Sequence, residues 1–171
     1  MMKQIKQMNS DYADTGFNFT LVDIDWTINA QWASNNNDPK IALQMKKKLR
    51  KGNYNTLNMY FSNPWSFCTF PTNVQAGSDD FYTDGCSVTP DVVPGGSTQG
   101  WDQGKTASHE AGHWLFLYHT SENECEAPGD EVDDTPAEKE RTNNLCPAGR
   151  DTCPQVPGLD PIHNHMGGGN E

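Results

Sequence analysis

The chain has 171 residues, the size of one domain. Only 34% are hydrophobic, and 23 acidic against 12 basic residues give a formal net charge of -11, so the core is modest and much of the chain is loop. That balance excludes the basic face required by nucleic acid or an anionic membrane, and solubility is its simplest role.

No apolar run approaches the roughly 20 residues of a membrane span, and the opening Met1-Met2-Lys3-Gln4-Ile5-Lys6-Gln7-Met8 lacks a signal-peptide core. Ile5 and Met8 stand at helical spacing among polar residues, which predicts a short amphipathic helix within 1–14, ended by Gly16. Residues 17–25 alternate apolar with mostly polar side chains and are rich in β formers, so a half-buried strand is expected there. The polar cluster 35–38 is a loop whose Asp38, followed by Pro39, suits the cap and first position of a helix. That helix is expected over 39–51, with Ile41, Ala42, Met45 and Leu49 as its apolar stripe. The basic run 46–51 reads as a solvated face whose cations complement the helix dipole. Gly52 closes the helix, and 57–61 follows as a second strand.

From 62 to 104 the chain is turn-rich, with prolines at 64, 71, 90 and 94. Residues 87–93 fit a strand that Pro90 restricts to a sheet edge, a natural template for an extended peptide; a covered edge or plain loop is the alternative.

The next helix is expected to open near 103–106 and to end around 117, and it carries His109-Glu110-Ala111-Gly112-His113. Four residues of α-helix turn the chain about 400° and rise about 6 Å, so His109 and His113 share one face, one turn apart. Two neutral imidazoles so placed, with a carboxylate beside the first, suit a zinc ion with an open coordination position and a base for water. His119 would stand about 15 Å further along a continued helix and on another face, so the chain must bend before it can join the same ion. The metzincin motif H-E-x-x-H-x-x-G-x-x-H bends at a glycine, and here that position is Phe116. A left-handed phenylalanine costs roughly 1–2 kcal/mol.

Past Ser121 periodicity disappears. Asp130, Glu131, Asp133 and Asp134 cluster before Thr135-Pro136, which suits calcium or an ordinary acidic turn but is not an EF-hand loop. Residues 166–171 read as a frayed end. Five cysteines, Cys68, Cys86, Cys125, Cys146 and Cys153, lie in loop-like sequence, as disulfides of a secreted protein would; the odd count leaves at least one thiol without an internal partner. Asn18-Phe19-Thr20 is a glycosylation sequon of the same compartment.

Over about residues 10–166 the sequence resembles the pappalysin family of metzincins, most closely its secreted fungal members. The likeness rests on 11–17, 57–61, Asp84-Gly85-Cys86, 93–96, 104–108 leading into His109-Glu110, Trp114, Tyr118-His119-Thr120, 129–136, 151–154 and 160–162 leading to Met166. The resemblance implies an α+β zincin fold: a twisted mixed sheet with backing helices, the active-site helix, and a short irregular C-terminal subdomain. It implies one catalytic domain over 1–171, with an N-terminal subdomain 1–119 carrying the zinc helix and a partial C-terminal subdomain 120–171, truncated at both ends. Zinc would be held by His109, His113 and His119, with Glu110 as general base and Met166 in the Met-turn beneath them. Disulfides Cys125–Cys153 and Cys68–Cys86 are implied, and so is calcium near Asp130, Asp134 and Thr135. Departures are Phe116 at the bend, His165 before the methionine, and Gly168 where the family has a Met-turn tyrosine.

The expected function is therefore that of a secreted, extracellular zinc endopeptidase acting on protein or peptide substrates, with no nucleic-acid or membrane partner. The alternative is an inactive or impaired remnant that keeps zinc or protein binding. A metal-dependent esterase or amidase would use the same site.

Overall fold

The structure, a computed structural model, describes residues 1–72, 75–141 and 146–168. Its contacts divide the chain into two compact units, Met1–Phe116 and Leu117–Glu171.

The first unit holds the regular elements among the described residues. In chain order these are helices α1 (Met2–Asp11), α2 (Ala30–Ser34) and α3 (Pro39–Leu49), strands β1 (Met59–Phe61) and β2 (Phe67–Thr69), helix α4 (Asp79–Thr83), strand β3 (Gly85–Val88), a 3-10 turn (Pro90–Val92) and helix α5 (Lys105–Trp114). The sheet order is β1-β3-β2, with β1 parallel and β2 antiparallel to the central β3. Cys68 sits opposite Cys86 in the β2–β3 register, and the two are joined by a disulfide. Gly85 has φ 99°, and a Cβ there would stand 2.7 Å from the Asn58 carbonyl oxygen, so only glycine lets β3 approach the start of β1 this closely.

Met8 of α1 and Tyr12 at its C-cap, Val88 of β3, and Ala107 and Ala111 of α5 form the buried core. The small residues on α5 let it lie against both neighbours. Gln4 donates to the Gly104 carbonyl at 2.7 Å and Tyr12 to the Ser108 carbonyl at 2.9 Å, fixing α1 along the opening turns of α5. Gly104 takes φ 84° at the cap, where a Cβ would meet the Pro94 ring at 2.7 Å.

Helix α3 begins as the sequence dictates: Asp38 accepts from the amides of Lys40 and Ile41, and Pro39 needs no donor at the first position. Its basic run is not wholly solvated. Lys46 is 2% exposed and donates to the carbonyls of Thr83 and Gly85 at 2.6 and 2.9 Å, with the rings of Tyr60 and Phe67 nearby.

Two expected strands differ. Residues 17–25 are irregular, and Val22, Trp26 and Ile28 are exposed. The apolar alternation breaks phase at Leu21-Val22, and the Asn9 side chain occupies both backbone groups of Phe19 that a neighbouring strand would have used. Asp23 and Asp25 also turn to local partners, Ile24 and Thr27. The strand expected over 87–93 instead ends at Val88 and is central, with both sides paired. The Thr89 amide donates to Ser66 Oγ at 3.0 Å, and Pro90, lacking N–H, opens the 3-10 turn. No free edge there awaits a peptide. Helix α2, strand β2 and helix α4 carry no sequence expectation; they are short, and side-chain caps from Asn29 and Ser78 start α2 and α4.

The described part of the second unit has neither helix nor strand. The disulfide Cys125–Cys153 and a buried polar network hold it instead. Arg150 donates to Glu138 at 2.5 Å, to Asp160 at 2.6 Å and to the Glu140 carbonyl at 2.6 Å, while Glu138 accepts from Thr120 at 2.6 Å. The frayed end expected over 166–171 lies outside the described residues from 169 onward.

Candidate metal centre

Helix α5 presents His109 and His113 one turn apart, as their spacing requires. Their Nε2 atoms are 3.1 Å from one another and their rings meet edge to face, 4.7 Å between centroids. Glu110 is buried at 5% exposure and His113 at 8%. The helix ends in a tight turn: the Leu115 amide donates to the carbonyls of Ala111 and Gly112, and the Phe116 amide to that of His113.

Phe116 then takes φ 69°. The bend thus falls where the metzincin motif puts it, made by a residue with a side chain. Three residues on, His119 completes a group in which one nitrogen from each of His109, His113 and His119 lies within 4.8 Å of the others. Tetrahedral zinc with nitrogens at about 2.1 Å needs neighbouring donors about 3.4 Å apart, and a 3.1 Å pair within a group spanning no more than 4.8 Å is compatible with that value. Three imidazoles, with no fourth ligand among the described residues, are a donor set that leaves a position of a four-coordinate ion for another group. Among the described residues this is the only group of three or more His, Cys, Asp or Glu whose donors converge in this way, and His163 and His165 lie outside it.

Further anchors were not legible as such in the sequence. Asp84, wholly buried, accepts from Trp114 Nε1 at 2.8 Å and from Arg50 at 2.6 Å, pinning the residue that follows His113. The Cys86 sulfur lies 3.2 Å from the Glu110 carbonyl oxygen, so the bridge of the sheet rests against the middle of the histidine helix. The ring of Phe70 stands edge-on to His113, 5.7 Å between centroids. Asp84-Gly85-Cys86 gave a signal only as part of the family likeness, and Phe70 gave none.

In the second unit, Met166 is buried and its carbonyl accepts from the Thr120 amide at 3.3 Å, which sets it beside the residue after His119. Gly168 is closed in by Arg141: a Cβ at 168 would stand 2.7 Å from the arginine Cβ, so a tyrosine there needs Arg141 to move. Asp130 is buried and its Oδ1 accepts from the Val132 amide at 3.1 Å, whereas Asp134 is exposed and the Thr135 amide closes a turn onto Val132. Cys146 belongs to neither bridge; its sulfur lies 3.2 Å from the Ile162 carbonyl oxygen.

The fold is that of mirolysin, matched by two solved structures. The structure matches mature mirolysin of Tannerella forsythia in complex with a cleaved peptide at TM-score 0.67, with 23% identity over 99% of this chain and 76% of that one. Mirolysin in complex with a small molecule, compound 9, matches at TM-score 0.65 and 22% identity over the same shares.

The sequence narrows the class. Residues 96–167 match the peptidase M43 family, described as pregnancy-associated plasma protein-A. Extracellular metalloprotease 1 of Coccidioides posadasii is 48% identical over 167 residues, 95% of this chain and 58% of its own length. An extracellular metalloprotease of Neurospora crassa is 46% identical over 95% of this chain and 57% of its own length. The chain thus spans somewhat more than half of these relatives, and the pappalysin resemblance read from its residues is borne out. No helix among the described residues is long and apolar enough to cross a membrane.

Proposed function

We propose that this chain is the catalytic domain of a secreted zinc endopeptidase. The observation that carries the reading is the convergence of nitrogens from His109, His113 and His119 to within 4.8 Å of one another, with Glu110 buried next to the first.

His109, His113 and His119 would hold a zinc ion through their imidazoles, and the ion would supply Lewis acidity toward water and the substrate carbonyl. Glu110 accepts a proton from the attacking water and returns it to the leaving amide nitrogen. His113, in the last turn of α5, and Glu110 are both buried on the helix, which holds them in place for this chemistry. Met166 takes the part of the Met-turn residue that the family likeness implies. Two disulfides and relatives described as extracellular support secretion. Calcium near Asp130, Asp134 and Thr135 rests on the family likeness alone; Asp130 is buried with its Oδ1 accepting from the Val132 amide, and Asp134 is exposed.

A second reading, zinc binding without peptidase activity, is favoured by one observation: Gly168 and its crowding by Arg141 remove the tyrosine that would stand there as an oxyanion donor. The chain expressed under oxidising conditions separates the two. One zinc per chain and cleavage of a quenched peptide library that falls by about 10²-fold or more in Glu110→Ala support the peptidase. One zinc with no cleavage dependent on Glu110 supports the binding protein and rejects the enzyme.

A further inference from the structure

The residue that bends the chain toward His119 is doubly unfavourable. Phe116 adopts φ 69°, an outlier for a bulky side chain, and the residue is 53% exposed, so little burial compensates the strain. Strain of this kind persists where it serves a site. The ring is placed against another: Phe70 lies 5.7 Å from Phe116, inclined by 41°, and the same Phe70 ring meets His113 edge-on at 5.7 Å. Phe70 follows β2 directly, and Cys68 of that strand is bridged to β3, so Phe70 is anchored to the sheet while Phe116 follows the end of α5. The result is a two-ring apolar shelf that begins at a proposed metal ligand and opens to solvent.

We propose that Phe70 and Phe116 form a specificity shelf that receives a large apolar or aromatic side chain of a peptide substrate, next to the bond that is cleaved. The inference rests on the metallopeptidase reading. A carbonyl brought to the ion held by His113 carries its flanking residues with it. Extended peptide advances about 3.3 Å per residue, so one flanking side chain comes within reach of rings that start 5.7 Å from that imidazole. Neither shelf residue carries charge or a hydrogen-bonding group, so burial and ring stacking set the preference, and a charged side chain gains nothing there.

The test is binding, measured calorimetrically on the zinc-loaded chain with two peptide hydroxamates that differ only in a phenylalanine or an alanine beside the chelating group. The phenylalanine ligand is expected to bind about 10-fold more tightly. Phe116→Gly, which accepts the backbone angle, brings that ratio close to one with zinc stoichiometry unchanged, and its metal-free form melts at a higher temperature than the wild type. Equal binding of the two ligands by the wild type overturns the shelf while leaving the metal site standing, and so does a preference kept in both Phe116→Gly and Phe70→Ala. A lower melting temperature for metal-free Phe116→Gly means that the ring serves as core and also overturns it. A wild-type chain that takes up no zinc removes the metallopeptidase reading and the shelf with it.

Discussion

Lys46 shows how one residue inside a conspicuous run can differ from its neighbours. Lys47 reaches Asp79 at the surface, whereas Lys46 points into the gap between α3 and the sheet. Burial lowers its pKa from 10.5 to about 8, with the charge of Asp84 opposing and that of Arg50 assisting. Below pH 8 both folded and unfolded chains carry the ammonium, and the folded chain bears the cost of burying it. Between pH 8 and 10.5 the unfolded chain binds more protons, so stability rises with pH, and the neutral amine still has protons for both carbonyls. Urea unfolding at pH 7 and 9.5 should therefore show the wild type gaining about 2 kcal/mol relative to Lys46→Met. A constant difference rejects the account. Tyr12 acts in the opposite sense further up the scale. Burial and Asp11 push it up to about 12, so the folded chain holds its proton longer than the unfolded one and stability falls between pH 10 and 12. At this scale the sequence was legible where chemistry depends on spacing alone, as for His109, Glu110 and His113. It was silent on Phe70, whose role comes from a ring contact 43 positions along the chain, and on which lysine of the run turns inward.

Between elements, the connection with most at stake runs from α3 through Asp84 to Trp114. Arg50 and Asp84 side chains are 1% and 0% exposed, and the guanidinium also covers the ring of Phe81 at 4.2 Å. Asp84→Ala leaves a buried cation without its carboxylate and an indole N–H without its acceptor, a change that should cost about 3–5 kcal/mol. Asp84→Asn keeps the acceptor for Trp114 and should cost less. Chemical denaturation of the two variants checks the order, and equal losses would show that Trp114 contributes nothing to it. Helices α3 and α5 were legible because caps and periodicity are local: Asp38-Pro39 announces one, and the histidine spacing requires the other. The strands were less so. A three-residue β1 is too short for periodicity to fix its ends, and residues 17–25 have strand composition but give the Phe19 backbone to Asn9. The central place of β3 follows from pairing with β1 and β2, which Pro90 at its end could not reveal.

For the molecule as a whole, the two units depend on their bridges unequally. The first has a sheet and a packed core around Met8 and Val88; the described part of the second has neither. Closing loops of 18 and 28 residues, the bridges each contribute about 3–4 kcal/mol in the chain-entropy description. Mild reduction should accordingly expose the second unit to proteolysis first, with cuts mapping beyond residue 117 while a fragment ending near 116 survives. Cuts spread evenly along the chain would contradict this. The irregularity of that unit was legible from its lost periodicity. Its Arg150–Glu138–Asp160 centre was not, because such a network depends on where loops cross.

The Cys68–Cys86 bridge touches α5 through the Glu110 carbonyl, between the two histidines that share its face. Ion uptake at the proposed site and thiol oxidation would then be linked equilibria, and linkage is reciprocal. By whatever factor the closed bridge tightens the hold on the metal, the bound metal protects the bridge from reductant, so chelation and reduction each make the other easier.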